Sequence, residues 1–315
     1  MTDAVETMAY AGEVPWHRQG IKVDPTLSAE EMMIAAGLDW EVHKKEAIIE
    51  VDKKRYKTGK QALYRVKKTG EVDVLSVVGK GWNPVQNSEA FGLFDEFIRS
   101  GDMEMHTAGS LMNGQIVWVL AKMKGGFQTV KGDETLPFLL FTNPHQYGRP
   151  VDVRFTPTRV VCWNTLSMAL SGMKSQNVVK LNHRLVFDAE RVKEMVGLAK
   201  SRFDEYAEMT KFLASKKADM DLVGRYFDEI FPRTSDAKKT NLPSKQYGEA
   251  LKLLESQPGH EFAAGSWWQP FNAVTYITNH TIGKDATRLS SAWYGSNKGR
   301  NMKALNLAVE YAKAA

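Results

Sequence analysis

The sequence predicts an α+β protein, with a mixed or antiparallel sheet core followed by a helical C-terminal region. Three observations carry this. Between residues 46 and 155, short β-rich runs recur between turn residues. After residue 186, apolar residues return at helical spacing. The composition, 43% hydrophobic and 25% charged over 315 residues, is that of an ordinary globular chain. Such a length can bury one large core or two smaller ones.

The elements follow in order. Residues 1–45 form an acidic N-terminal segment. Within it Ser28-Ala29-Glu30-Glu31 reads as a capping box opening a short helix that Gly37 ends. Residues 46–185 are the α+β core domain. Ala47–Val51, Gln61–Val66 and Val72–Val78 form a three-stranded antiparallel meander, with turns expected at Lys57-Thr58-Gly59 and Lys68-Thr69-Gly70. Asn87 or Ser88 caps a helix with Phe91, Phe94 and Ile98 on one face, closed by Gly101. Met103–His106, Gln115–Lys122 and Leu136–Thr142 are strands, and Val151–Phe155 alternates as a half-buried strand does. Thr156-Pro157 looks like an N-cap with proline at the first helical position, so a helix is expected over Pro157–Leu170. Arg159–Trp163 also reads as strand.

Residues 186–315 are the helical C-terminal region. Asp188 caps a long helix with Val192, Met195, Ala199, Phe203 and Tyr206 on one face. Shorter helices are expected at Leu222–Phe231, Ser244–Glu255, Gln269–Asn279 and Arg300–Ala312. The polar Pro232–Pro243 stretch reads as a loop.

Several classes are excluded or disfavoured at this level. No apolar run approaches the ~20 residues that span a bilayer, so no membrane association is expected. The N-terminus shows no signal peptide. The single Cys162 forms no intramolecular disulfide and no multi-cysteine zinc site. A cytoplasmic location is the simplest reading.

The net charge of +5 hides an asymmetry. Residues 1–50 hold ten acids against four bases. From Val51 to Lys68 there are eight bases, Lys53, Lys54, Arg55 and Lys57 among them, and one acid. From Asn143 to Arg184 there are six bases, including Arg149, Arg154 and Arg159, and again one acid. In the second stretch Tyr147, Phe155 and Trp163 are interleaved. Basic groups suit a polyanion, and interleaved aromatics suit single-stranded nucleic acid. The competing reading is solvated loops and lysine-protected strand edges.

A search for catalytic chemistry is largely negative. Gly79-Lys80-Gly81-Trp82-Asn83-Pro84 fails as a dinucleotide fingerprint, because Pro84 replaces its third glycine and Trp82 crowds the phosphate position. Gly283-Lys284-Asp285 is not a phosphate-binding loop, and the seven histidines show no metal-ligand pairing. Cys162 reads as a nucleophile with His145 or His183 as its base, or as a small core hydrophobe. Three polar turns remain: Trp82–Asn87, Asn143–Arg149 and Trp293–Arg300. Each combines aromatic, amide and basic groups, and each is equally read as turn geometry alone.

The same residues carry a resemblance. Glu13-Val14-Pro15-Trp16-His17, Pro84-Val85-Gln86-Asn87 and Thr107-Ala108-Gly109-Ser110-Leu111 belong to it. So do Arg154-Phe155-Thr156-Pro157, Arg159 through Leu166, Asn272-Ala273-Val274-Thr275 and Ser291-Ala292-Trp293-Tyr294-Gly295. On these strings the chain resembles the phage/plasmid-like protein family, a domain of unknown function of bacteriophages, plasmids and bacterial chromosomes. The family's common His-Asp-Gly turn is His145-Gln146-Tyr147 here, so no role for that Asp carries over. The resemblance implies a mobile-element context. The order of strands and helices in residues 46–171 also looks like the core of phage single-strand annealing proteins, an analogy of fold only.

The resulting expectation is a nucleic-acid-binding protein that holds or anneals single-stranded DNA, or binds duplex DNA, in recombination or replication. It needs no cofactor and no metal, and it works as a ring or filament of identical chains. The binding residues expected are Lys53, Lys54, Arg55, Lys57, Trp82, Asn83, His145, Tyr147, Arg149, Arg154, Arg159, Lys298 and Arg300. Trp82 is expected to stack or line a pocket, and Trp118 and Trp163 to pack. The alternatives are an enzyme with a polar pocket around Cys162, His145 and Asn164, and a phage structural or host-interaction protein.

Overall fold

A computed structural model describes residues 5–12, 20–161, 164–165, 179–181, 189–232, 244–284, 288, 291–293 and 295–314. The fold is α+β, with antiparallel pairing dominant and helices concentrated in the C-terminal half. By contact the chain divides into two units. One comprises Met1–Lys124, Phe138–Arg154 and Leu170–Leu198; the other comprises Gly125–Pro137, Phe155–Ala169 and Ala199–Ala315.

In the first unit, β1 (Val5–Ala11) lies between β2 (Ile21–Val23), parallel to it, and β6 (Met103–Leu111), antiparallel. The sheet continues through β7 (Ile116–Met123) to β9 (Glu134–Pro144) and β10 (Val151–Arg159). The short β12 (Val179–Leu181) pairs with the start of β10. Helices α1 (Ala29–Ala35) and α2 (Asn87–Arg99) pack against each other and on β6. Phe94 of α2 meets Phe141 of β9 edge to face at 6.1 Å.

The same unit holds a separate three-stranded sheet of β3 (His43–Val51), β4 (Lys54–Val66) and β5 (Val72–Val78), the expected meander. Its inner face closes on Leu63, Leu75 and Val78, with Val42 and Trp82. The first turn differs from expectation. It lies at Asp52-Lys53, both with positive φ, and β4 runs through Lys57-Thr58-Gly59. Two consecutive left-handed residues match the twist of a two-residue hairpin, which Asp and even Lys adopt when the flanking strands pair fully.

In the second unit, β8 (Phe127–Gln128) pairs with the first residues of β9, and β11 (Asn164–Thr165) with the last of β10. Helices α3 (Ala189–Ser215, from Ala199 on in this unit), α4 (Met220–Ile230), α5 (Lys245–Leu253), α6 (Trp268–Tyr276) and α7 (Ser296–Ala314) surround a core of large side chains. Tyr226, Phe227, Trp267, Trp268 and Phe271 are fully buried in it. A π-turn, Ile277–Thr281, extends α6, and Asn297 of α7 donates to the Thr278 carbonyl at 2.8 Å.

Ser28 and Glu31 form the expected capping box, and Gly37 and Gly101 take positive φ after their helices. The cap of α2 shifts to Gln86, because the Asn87 side chain is used elsewhere: its Nδ2 donates to the Leu38 and Trp40 carbonyls at 2.9 and 3.3 Å. The expected helix at Pro157 does not start there. β10 continues to Arg159 with every residue buried, so both faces of the strand are covered and tertiary packing overrides the N-cap signal. Further along the expected helix, Val160 and Val161 form a turn and Asn164-Thr165 pair with β10 as a strand, so no helix stands at these residues either. Residues 162–163 and 166–170, the Asp188 cap and most of the Pro232–Pro243 loop lie outside the described residues.

Candidate nucleic-acid interface

The β3–β4 hairpin is the most exposed basic element of the described residues. Beyond the register irregularity after Glu46, Ile48 pairs with Lys57, Ile49 with Tyr56, Glu50 with Arg55 and Val51 with Lys54. Every residue from Ile49 to Lys60 is exposed. Pairing partners share a face, so one side carries Lys57, Arg55, Ile48 and Glu50, and the other carries Lys54, Tyr56, Ile49 and Val51. Arg55 meets Glu50 at 3.3 Å and Lys57 meets Glu46 at 3.1 Å, both in solvent. Such exposed pairs hold little energy and reopen readily. Among the described residues, Lys53, Lys54 and Lys60 face no carboxylate at ion-pair distance. Tyr56, outside the expected site, supplies an exposed aromatic on the face of Lys54, opposite Arg55 and Lys57; its place in the Arg-Tyr-Lys string was its signal.

Other expected contact residues have different roles. Trp82 is only 8% exposed and packs with Leu63, Leu75 and Val78, so it is core, not a stacking surface. Its carbonyl accepts from Lys44 Nζ at 2.9 Å. Arg154 is buried and bonded to Asp152 two residues before it, with Nε 2.6 Å from Oδ2. Arg159 is buried against Asp133 and donates to the Gly259 carbonyl at 2.9 Å. Neither arginine is available to a phosphate, because a buried charge needs its partner. Asp133, the decisive partner, lies in a stretch that the charge pattern does not mark.

His145 is fully buried. Its Nε2 donates to Asn87 Oδ1 at 3.2 Å, and its ring meets Trp40 edge to face at 5.5 Å. Around it the Trp82–Asn87 and Asn143–Arg149 turns act as braces. Asn143 Nδ2 donates to the Val85 carbonyl at 2.8 Å, and the Gln86 amide pairs with both backbone groups of Val42 at 2.9 and 3.0 Å. Beside them Arg65 crosses the unit. It binds Glu6 and, at 2.9 Å, Asp73, and its guanidinium carbon lies 4.7 Å from the Trp40 ring centroid. Burial alone would lower its pKa, but the hydrogen bonds to Glu6 and Asp73 leave it raised. These amide side chains satisfy buried backbone groups, which is a folding role.

Tyr147 is 68% exposed, its backbone N–H held by Ser76 Oγ at 3.1 Å, and Asn83 is exposed. Arg149 is half-buried. In the second unit, Lys298 and Arg300 are half-buried on α7, and Arg300 donates to Asn297 Oδ1 at 3.0 Å. Trp118 is buried at the sheet centre, as expected of a packing residue. Trp163, Cys162, Lys174, Arg184 and the side chains of Asn164 and Lys180 lie outside the described residues. Of the expected set, the structure therefore groups Lys53, Lys54, Arg55 and Lys57 on one exposed hairpin, and it removes Trp82, His145, Arg154 and Arg159 from the surface.

Among the described residues no three His, Cys, Asp or Glu side chains form a metal-ligating group, and no helix is long and apolar enough to cross a membrane. A family model described as Domain of unknown function (DUF932) matches residues 74–303. No curated protein and no solved structure matches the chain.

Proposed function

Because the chain belongs to the DUF932 family, a domain of unknown function, its geometry has to supply an activity, and we propose that it binds nucleic acid through the β3–β4 hairpin. The observation that carries this reading is the exposed Val51–Lys60 segment, which holds five bases, one acid and Tyr56. Lys53, Lys54, Arg55 and Lys57 meet phosphates, and Tyr56 stacks on a base. Stacking of this kind favours single strands, whose bases present free faces. In the wider reading, the protein holds or anneals single-stranded DNA during recombination or replication of a phage or plasmid. It acts in the host cytoplasm as an assembly of identical chains.

The test is filter binding to single- and double-stranded DNA at two salt concentrations, with wild type and a Lys53→Glu/Lys54→Glu/Lys57→Glu variant. Each lost phosphate contact should flatten the log–log salt slope by about 0.7 on single strands, so the variant should lose about two units. A folded variant with unchanged affinity and slope overturns the proposal.

A further inference from the structure

The hairpin is continuous with a sheet face that carries aromatic and basic groups and no acid. By register His43 opposes Tyr64 and Lys45 opposes Ala62 between β3 and β4. Tyr64 in turn opposes Val74, and Ala62 opposes Val77, between β4 and β5, so these side chains share one face. Further along β3 and β4, Ile49 opposes Tyr56 and Val51 opposes Lys54. The Lys57–Glu46 ion pair at 3.1 Å relates the faces across the irregularity after Glu46. Both residues lie on the other side, with Lys44 and Leu63. Alternation therefore leaves Tyr56 and Lys54 on the face of Tyr64 and Lys45.

Charge is sorted between the two faces. The carboxylates of the three strands are Glu46, Glu50 and Asp73, and all three belong to the other side, where Asp73 opposes Arg65. The face of Tyr64 has Lys45 and Lys54, both exposed, and no acid among its paired residues. His43 and Tyr64 are half-buried, with ring centroids 5.4 Å apart. Beside them Val74 and Val77 are exposed, as is Tyr56.

We infer that a single-stranded nucleic acid runs along this face after it meets the hairpin. Lys45 and Lys54 take phosphates, and Tyr56 and the His43–Tyr64 pair each take a base. The inference rests on the nucleic-acid reading above and extends its site from the hairpin to the body of the sheet. Three features select a single strand as the occupant. An acid-free face with two exposed lysines is complementary to phosphate. Its rings and valines offer contact to unstacked base faces, which a duplex keeps covered. A sheet that presents rings to bases and cations to the backbone is a recurrent way of holding single strands. Tyr56 and Tyr64 are eight positions apart on β4. At the rise of a strand they are separated by at most roughly 26 Å, or about eight nucleotides at ~3.4 Å each.

The experiment is fluorescence anisotropy at two salt concentrations, with single strands of about four and about twelve nucleotides and the duplex of the longer one. The proteins are wild type, Lys45→Ala, Tyr64→Leu and Tyr64→Phe, each also weighed by sedimentation. Wild type should bind the longer strand at least about tenfold more tightly than the shorter, because only the longer reaches both aromatic stations. Tyr64→Leu should lose about tenfold on the longer strand with an unchanged salt slope, and Tyr64→Phe should restore it. Lys45→Ala should flatten the slope by about 0.7. Lys45 is exposed, so its variant tests the face even if Tyr64→Leu fails to fold. Equal affinity for the two lengths overturns the inference, as does tighter binding of the duplex. A variant with unchanged affinity but altered mass makes the face a protein contact and also overturns it. If these variants bind like wild type while the hairpin lysine variant is weakened, this inference alone fails. If the hairpin variant binds like wild type while these are weakened, the hairpin reading alone fails.

Discussion

Arg159 meets Asp133 through two parallel hydrogen bonds, Nε to Oδ1 at 2.6 Å and Nη2 to Oδ2 at 2.9 Å. The Trp268 indole N–H donates to the same carboxylate at 2.7 Å, and the Gly259 carbonyl takes a further proton of Arg159. The pair ties β10 to the turn before β9 and to the start of α6 within the second unit. Both side chains are buried, so each charge has its compensating partner in the other.

Removing either partner strands a buried charge. Arg159→Ala and Asp133→Ala should each cost about 3–5 kcal/mol in urea unfolding. Neither should change the affinity of the remaining folded protein for DNA by more than about twofold. A large affinity loss in a variant of wild-type stability would return Arg159 to the binding site.

Trp82 should behave as Trp118 does. Both are buried, one in the small sheet's core and one at the centre of the main sheet. Trp82→Ala and Trp118→Ala should each lose about 3–5 kcal/mol of stability. A Trp82→Ala variant of normal stability but weak DNA binding would restore the stacking role first expected for it.

Elements with a local cause were legible in the sequence, and those set by distant partners were not. Ser28 and Glu31 cap α1 because the bond closes over three residues. The β3–β5 meander followed from alternation and turn residues. β1 was missed, since Val5–Ala11 has no clear alternation and gains its place by pairing with β6 about a hundred residues on. Pro157 was misread because its N-cap signal is local while the covering of both faces of β10 is not. At the site, the four bases of the hairpin were readable as a run. The loss of Arg154 and Arg159 to carboxylates was not, because charge counts do not show pairing.

Gly109 should tolerate no side chain. A Cβ there would lie 2.3 Å from the Trp118 ring and 2.4 Å from the Thr7 carbonyl. The indole crosses β6 at this point, and its Nε1 reaches Thr107 Oγ1 at 3.4 Å. Gly109→Ala must therefore displace either the ring or the β1 backbone, at a cost of about 1–3 kcal/mol or more. Thermal unfolding checks this, and a variant melting at the wild-type temperature would show that the sheet yields there freely.

Lys53 sits at φ +61, where a β-carbon is disfavoured by roughly 1 kcal/mol. Lys53→Gly should relieve that strain without disturbing the hairpin, whose register is set by the paired strands on either side. The expected gain is about 0.5–1 kcal/mol, offset in part by glycine's greater freedom in the unfolded chain. Amide exchange of the hairpin reads it directly: slower exchange at residues 49–57 is expected. Faster exchange would mean that the lysine side chain itself holds the turn.

Stability should fall as the solution is acidified through the range set by His106. This residue sits at the β6 irregularity between Met105 and Thr107, its ring 4.8 Å from Phe138. Burial, reinforced by the nearby Lys122 charge, lowers its pKa from 6.5 to about 4. Between those values the unfolded chain binds a proton that the folded chain refuses. Unfolding is therefore favoured as pH drops from 6.5 towards 4, and the contribution of His106 is complete above 6.5. The full effect is about 3 kcal/mol at most. His106→Phe keeps a ring against Phe138 and removes the titration. The difference in unfolding free energy between wild type and variant should therefore change across this window and stay constant above it. A difference that stays constant from pH 7 to pH 4 would mean that His106 accepts its proton in the folded protein as easily as in water.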